Sequence, residues 1–112
     1  MSDIFLSYKS QDRPRAKIIA EALEKNSFSV WLDQKIPPGR DYDEFIKEVL
    51  DSAKCVVVLW SKESVKPKEG KWVRTEATIG DRRGILVPVL IDDVEPPIAF
   101  ILTEAARLID WD

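Results

Sequence analysis

The run CVVVLW at 55–60 is apolar at every position, and ILVPVLI at 85–91 is interrupted only by Pro88. Strands without polar alternation are buried on both faces. DIFLSY (3–8) and FSVWL (28–32) are shorter β-prone runs, and RLIDW (107–111) is a fifth. Between these runs the period changes to that of a helix. Ala16, Ile19, Ala20 and Leu23 recur at helical spacing behind Asp12, a candidate N-cap, and Pro14, which suits a first turn. Tyr42, Phe45, Ile46, Val49 and Leu50 form a second helical stripe, and Asp41 with Glu44 makes a capping-box pattern at its start. A third helix carries Trp72 and runs to about Arg83, where Gly84 stops it. DQKIPPGRD (33–41) and SKESVKPKEG (61–70) are loops, and DDVEPPIAFILTEAA (92–106) reads as an irregular crossover. Pro88 inside the fourth strand points to an edge position or a bulge nearby.

Strands alternating with helices, with fully apolar inner strands, specify a parallel sheet covered by helices on both faces. Right-handed crossovers leave few topologies. The expected fold class is α/β: a flavodoxin-like three-layer sandwich, its five-stranded parallel sheet in the order 2-1-3-4-5. Ligands in such sheets bind beyond the carboxyl ends of the strands, at the switch between strands one and three. Those ends are Tyr8-Lys9-Ser10 and Trp60-Ser61.

Composition narrows the chemistry. A chain of 112 residues forms one compact domain. Net charge is -3, and a glutamate interrupts KPKEGK (66–71), the most basic loop, so no basic face for nucleic acid is expected. CVVVLW is too short to span a membrane. The start of the chain has no basic segment followed by a long apolar one, so a cytoplasmic location is expected. With one cysteine, Cys55, and no histidine, the chain holds no internal disulfide, no Cys/His zinc site and no Ser-His or Cys-His nucleophile pair. Glycines at 39, 70, 80 and 84 make no phosphate-binding fingerprint after strand one. A receiver domain would need an acidic pair after strand one and an aspartate ending strand three. Ser7-Tyr8 and Trp60-Ser61 stand there instead. Carboxylates, hydroxyls, aromatics and backbone remain.

One carboxylate stands out. In KWVRTEATIG (71–80) the helix-surface neighbours of Glu76 are Trp72, Val73, Ile79 and Gly80, so it lies near the middle of the apolar arc. No Lys or Arg lies three or four positions away to pair with it. Either the charge is functional, or it turns outward or meets Arg83 about two turns on.

Five segments in order resemble TIR domains. DIFLSYKSQD resembles their first strand and the loop after it, FSVWLDQKIPPG the second strand and BB loop, and VVVLWSKES the third strand. WVRTE resembles the Trp-x-x-x-Glu of members that cleave NAD, and VPVLIDD with the closing DW the last two strands. The likeness spans residues 1–112 as one domain and is to the prokaryotic type. The family continues into a final helix after strand five, so a trimmed chain or the front of a longer protein is expected.

The resemblance implies a division between TIR domains that only recruit other TIR domains and those that hydrolyse or cyclise NAD, often in immune or cell-death signalling. Glu76 matches the catalytic glutamate of the second group. NAD would be substrate, and no cofactor is implied. A fixed carboxylate near the ribose hydroxyls offsets the positive charge that grows as the nicotinamide–ribose bond breaks. Trp72 would stack on a ring of the substrate, and Tyr42 would meet the base. Tyr8, Lys9 and Ser10 would line the opposite wall, Lys9 facing the pyrophosphate. Ser61 and Ser64 would hydrogen-bond a ribose or phosphate. Ile36, Pro37, Pro38 and Gly39 of the BB loop would touch a neighbouring protomer. Each residue also has a plainer reading. Trp72 and Tyr42 cover the core, Lys9 is solvated, Pro37-Pro38-Gly39 is a rigid loop, and Trp31, Trp60 and Trp111 pack. The two functions to separate are an NAD-consuming enzyme activated by assembly and a non-catalytic TIR–TIR module.

Overall fold

A computed structural model describes residues 3–32, 39 and 41–109. The loop residues Ile36, Pro37 and Pro38, the closing Trp111 and the side chain of Tyr42 lie outside the described residues. Strand β1 (Ile4–Ser7) leads through a 3₁₀ turn at Ser10–Asp12 into α1 (Arg13–Lys25). Then come β2 (Val30–Trp31), α2 (Tyr42–Ser52), β3 (Cys55–Trp60), α3 (Lys71–Arg82), β4 (Leu86–Leu90) and β5 (Ala106–Arg107). The sheet is parallel throughout, in the order β2-β1-β3-β4-β5. This is the expected order, with β1 and β3 adjacent: Ser7 pairs with Val58.

Alternation along the strands divides the core into two. Phe5, Val56, Val58 and Trp60 face α2 and α3, where they meet Ile46, Leu50, Val73 and Ala77. Ile4, Leu6, Val57 and Leu59 face α1 and its Ala16, Ile19 and Ala20. Both faces of β3 are therefore buried, which is why its sequence shows no polar alternation. Phe5 stacks on Trp31 at 5.0 Å, and Trp60 meets Phe100 at 5.4 Å, so both tryptophans pack as expected.

The outer strands are shorter than the sequence suggests. β2 keeps two of its five expected residues, and β5 begins at Ala106 and ends at Arg107. Each lies at an edge with a single neighbour in the sheet, so fewer ladder hydrogen bonds extend it. Pro88 is accommodated by the same edge. Peptide groups along a parallel strand alternate between its two neighbours. Ile91 N donates to Trp60 O on the β3 side, and Leu90 O accepts from Leu108 N on the β5 side. Pro88 shares the direction of Leu90, and β5 pairs with β4 only from Val89 onward. The missing N–H thus points to the side where pairing has not yet begun.

Helix ends follow the sequence in two cases of three. Asp41 Oδ1 accepts from Glu44 N at 3.2 Å, and Gly84 closes α3 at φ +69° with Ile85 N donating to Gly80 O. Asp12 occupies the N-cap position of α1, but its side chain makes no capping bond. The carboxylate is drawn instead to Ser61 and Arg15.

Candidate functional site

The carboxyl ends of β1 and β3 meet the start of α3, and each local feature there has a structural cause. Gly70 precedes α3 so closely under the preceding turn that a Cβ on it would stand 1.9 Å from Ser64 O. Only glycine lets the helix begin there. The turn itself is built by two serines. Ser64 Oγ accepts from Ser61 N at 2.7 Å and donates to Leu59 O at 2.8 Å, and Ser64 N donates to Ser61 Oγ at 3.1 Å. Ser61 Oγ donates to the Asp12 carboxylate. Both serines are fully buried. They are therefore spent on the frame of the β3–α3 turn, and the structure does not present them to a ligand.

The frame extends to α1 and β4. Arg15 donates to Asp12 at 2.6 Å, to Asp92 at 2.8 Å and to Ile91 O at 3.2 Å. Asp92 also accepts from Lys62 N at 2.9 Å. The Arg15 guanidinium holds the Asp92 carboxyl below its usual range, and the carboxylates raise Arg15 in turn. One arginine thus ties α1 to the residues that follow β3 and β4.

Glu76 lies on the inner face of α3, 3% exposed, beside buried Val73, Ala77 and Gly80. Its Oε1 accepts a 2.6 Å hydrogen bond from Ser7 Oγ at the end of β1. Burial raises the Glu76 pKa to about 7, opposed by the Ser7 hydrogen bond, which favours the charged form. Arg83 does not reach it. That guanidinium donates to the carbonyls of Leu50 and Ala53 at the end of α2, so the alternative pairing is overturned. Glu76 is neither outward nor ion-paired among the described residues.

Outside Glu76 opens a cleft of about 450 Å³ lined by Lys9, Lys68, Glu69, Lys71, Trp72 and Thr75. Lys9 and Trp72 both line it, Trp72 with 45% of its surface exposed. Glu76 itself does not line the cleft. It lies one helical turn after Trp72, on the inner face of α3. Tyr8 is not on this wall. Its side chain alternates with Leu6 onto the α1 face, where its hydroxyl donates to Leu32 O and accepts from Arg13. Ser10 is exposed, bonds Gln11 Oε1 at 3.2 Å and is not part of the cleft lining. Gly39 has φ +81° and open space about its Cα, consistent with a turn.

Sequence reasoning missed Lys68, in the turn before α3, and Lys71, the first residue of α3, and it missed Ser7. The cleft sets three lysines, Glu69 and an indole at the surface, and the desolvated Glu76 carboxylate lies on the inner face of the same helix as the indole. The lysines suit phosphate, the indole suits a flat ring, and the carboxylate suits developing positive charge. Among the described residues no cluster of three His, Cys, Asp or Glu could hold a metal, and no helix is long and apolar enough to cross a membrane.

A family model described as TIR domain matches residues 4–112. The fold resembles the crystal structure of the TIR domain of the Toll-related receptor TRR-2 from Hydra magnipapillata, with TM-score 0.84 and 18% identity over 98% of this chain and 86% of that one. It also resembles the TIR-STING receptor from C. gigas, solved in complex with 2',3'-cGAMP, with TM-score 0.79 and 20% identity over 96% of this chain and 35% of that one. No curated protein sequence matches the chain.

Proposed function

This chain belongs to the TIR domain family, and on that premise we propose that it is an NAD-consuming enzyme, a glycohydrolase or ADP-ribosyl cyclase, acting as a cytoplasmic effector of immune or cell-death signalling. One observation carries the reading. Glu76, in Trp72-x-x-x-Glu76, is a desolvated carboxylate without an ion-pair partner among the described residues, one turn behind an exposed indole in a cationic cleft.

The chemistry asks little of acids or bases. The bond between the nicotinamide nitrogen and ribose C1′ breaks, and its electron pair leaves on nitrogen, so the pyridinium departs as neutral nicotinamide. The positive charge passes to the ribose ring, where the Glu76 carboxylate offsets it. Water adds at C1′ and loses a proton to give ADP-ribose, or a ring nitrogen of the adenine adds to give a cyclic isomer. Lys9, Lys68 and Lys71 meet the pyrophosphate, and Trp72 stacks on a base.

Because Glu76 does not line the cleft, the working form must admit the substrate ribose to it without admitting bulk water. Assembly with other TIR domains is the step assigned to this opening. The isolated chain is then weakly active and the ordered oligomer active. Equal specific activity in both would sink that part of the reading.

A specific observation also favours the second reading, a non-catalytic TIR–TIR interaction module. Glu76 is buried and hydrogen-bonded by Ser7, as a structural carboxylate would be. The deciding experiment follows nicotinamide release from NAD by chromatography, at high protein concentration with a crowding agent, beside Glu76→Gln. Turnover that vanishes in the variant establishes the enzyme. No turnover under assembling conditions moves the function to the interaction module, and equal turnover in both proteins places the site elsewhere.

A further inference from the structure

Ser7 is fully buried at the last position of β1, and its hydroxyl has one acceptor, Glu76 Oε1, at 2.6 Å. The two residues are 69 positions apart, and the sheet register brings them together: Ser7 pairs with Val58 across the β1–β3 ladder, and α3 lies on that face. The second carboxylate oxygen of Glu76 has no hydrogen-bond partner among the described residues. A short bond to one oxygen of a carboxylate stops the group from rotating and leaves the other oxygen directed elsewhere. Among the described residues Ser7 alone bonds it, and the buried Trp60 indole N–H in the same core has no hydrogen-bond partner. α3 packs on β1, β3, β4 and α2, whose described buried side chains there are Phe5, Val56, Val58, Ile46 and Leu50, all apolar, and Trp60.

We infer that Ser7 is a positioning residue for Glu76: its hydroxyl pins Oε1 and leaves the second oxygen to meet the ribose hydroxyls of the substrate. The role in turnover rests on the enzymatic reading above, whereas the hold on the carboxylate does not. Among the described residues of β1, β3, β4, α2 and α3, no charged side chain acts on Glu76; burial and the Ser7 hydrogen bond do, in opposite directions. Removing the hydroxyl therefore leaves burial unopposed, and the carboxyl must take up its proton at higher pH.

Ser7→Ala deletes one oxygen and no packing carbon, so the fold is retained. Ser7→Thr keeps the hydroxyl. The Glu76 side-chain carboxyl carbon is titrated by NMR in the wild type, both variants and Glu76→Gln, which assigns the signal. Nicotinamide release is measured over the same pH range under assembling conditions. The expected result is an upward shift of the Glu76 midpoint in Ser7→Ala by about one pH unit or more. The acidic limb of the rate profile should move with it, and Ser7→Thr should restore both. A midpoint unmoved in Ser7→Ala overturns the inference, whatever the activity. A shifted midpoint with an unshifted rate profile overturns the positioning role in turnover. If the midpoint shifts and the wild type releases no nicotinamide, the hold of Ser7 on Glu76 stands and the enzymatic reading falls.

Discussion

A Cβ on Gly80 would stand 2.9 Å from Val56 Cβ, so α3 rides on β3 at a distance only glycine permits. Glu76 lies one turn earlier on the same face of α3, and this close approach is what buries it. Gly80→Ala should push the helix outward and cost about 1–3 kcal/mol. Urea denaturation would show a lower midpoint, and the Glu76 carboxyl should titrate closer to its ordinary value as water reaches it. An unchanged midpoint and an unchanged titration would mean that Val56 yields instead of the helix.

Glu76→Gln should stabilise the protein at neutral and alkaline pH. The folded-state pKa of Glu76 is raised, from an ordinary 4.5 to about 7. Between those values the folded protein binds more protons than the unfolded chain, so wild-type stability falls as pH rises through that window. The full penalty, on the order of 3 kcal/mol, is felt above the folded pKa, and glutamine does not incur it. Thermal melts of the two proteins should diverge as pH rises from 5 to about 8. Parallel curves over that range would show that Glu76 is not desolvated in solution.

The rate of nicotinamide release should rise with pH through about 7, because the carboxylate is the form that offsets positive charge on the ribose. A profile flat from about pH 6 to 8 would argue that Glu76 does not titrate in the working form.

Ser61→Ala should destabilise the fold by about 1–3 kcal/mol, since it removes a donor from the buried Asp12 carboxylate. KM for NAD should be unaffected in the folded fraction. A change in KM without a change in stability would return Ser61 to the ligand site.

Trp72→Ala should leave the fold intact, as the indole is 45% exposed, and should weaken binding of ADP-ribose roughly tenfold or more, the usual effect of losing a stacked base. Charge reversal at Lys68 and Lys71 together should weaken the same ligand, with the difference from wild type shrinking as salt rises. Isothermal titration of the two variants checks both. Undiminished affinity in each would place the ligand outside this cleft.

Much of this molecule is written in local pattern. The apolar runs at 55–60 and 85–91 specify strands buried on both faces. The helical stripes at 16–23 and 42–50 specify helices of one face, and their alternation specifies the parallel sheet and its order. The inward position of Glu76 follows from its neighbours on the helix, because a 3.6-residue period depends only on residues close in sequence. Even the turning of Tyr8 to the α1 face could be read from its alternation with Ile4 and Leu6. The polar partnerships were not legible. That Ser7 would meet Glu76, that Asp12 would leave its cap for Ser61 and Arg15, and that Arg83 would take the carbonyls of Leu50 and Ala53 all depend on strand register and on how deeply α3 is seated. The same holds for Lys68 and Lys71, which look like solvated lysines along the chain and become a cleft wall only when the turn before α3 and the start of that helix are set beside Lys9. Hydrophobic period is a property of neighbours in sequence. The pairing of buried polar groups is a property of neighbours in space, and only the packed sheet decides which ones those are.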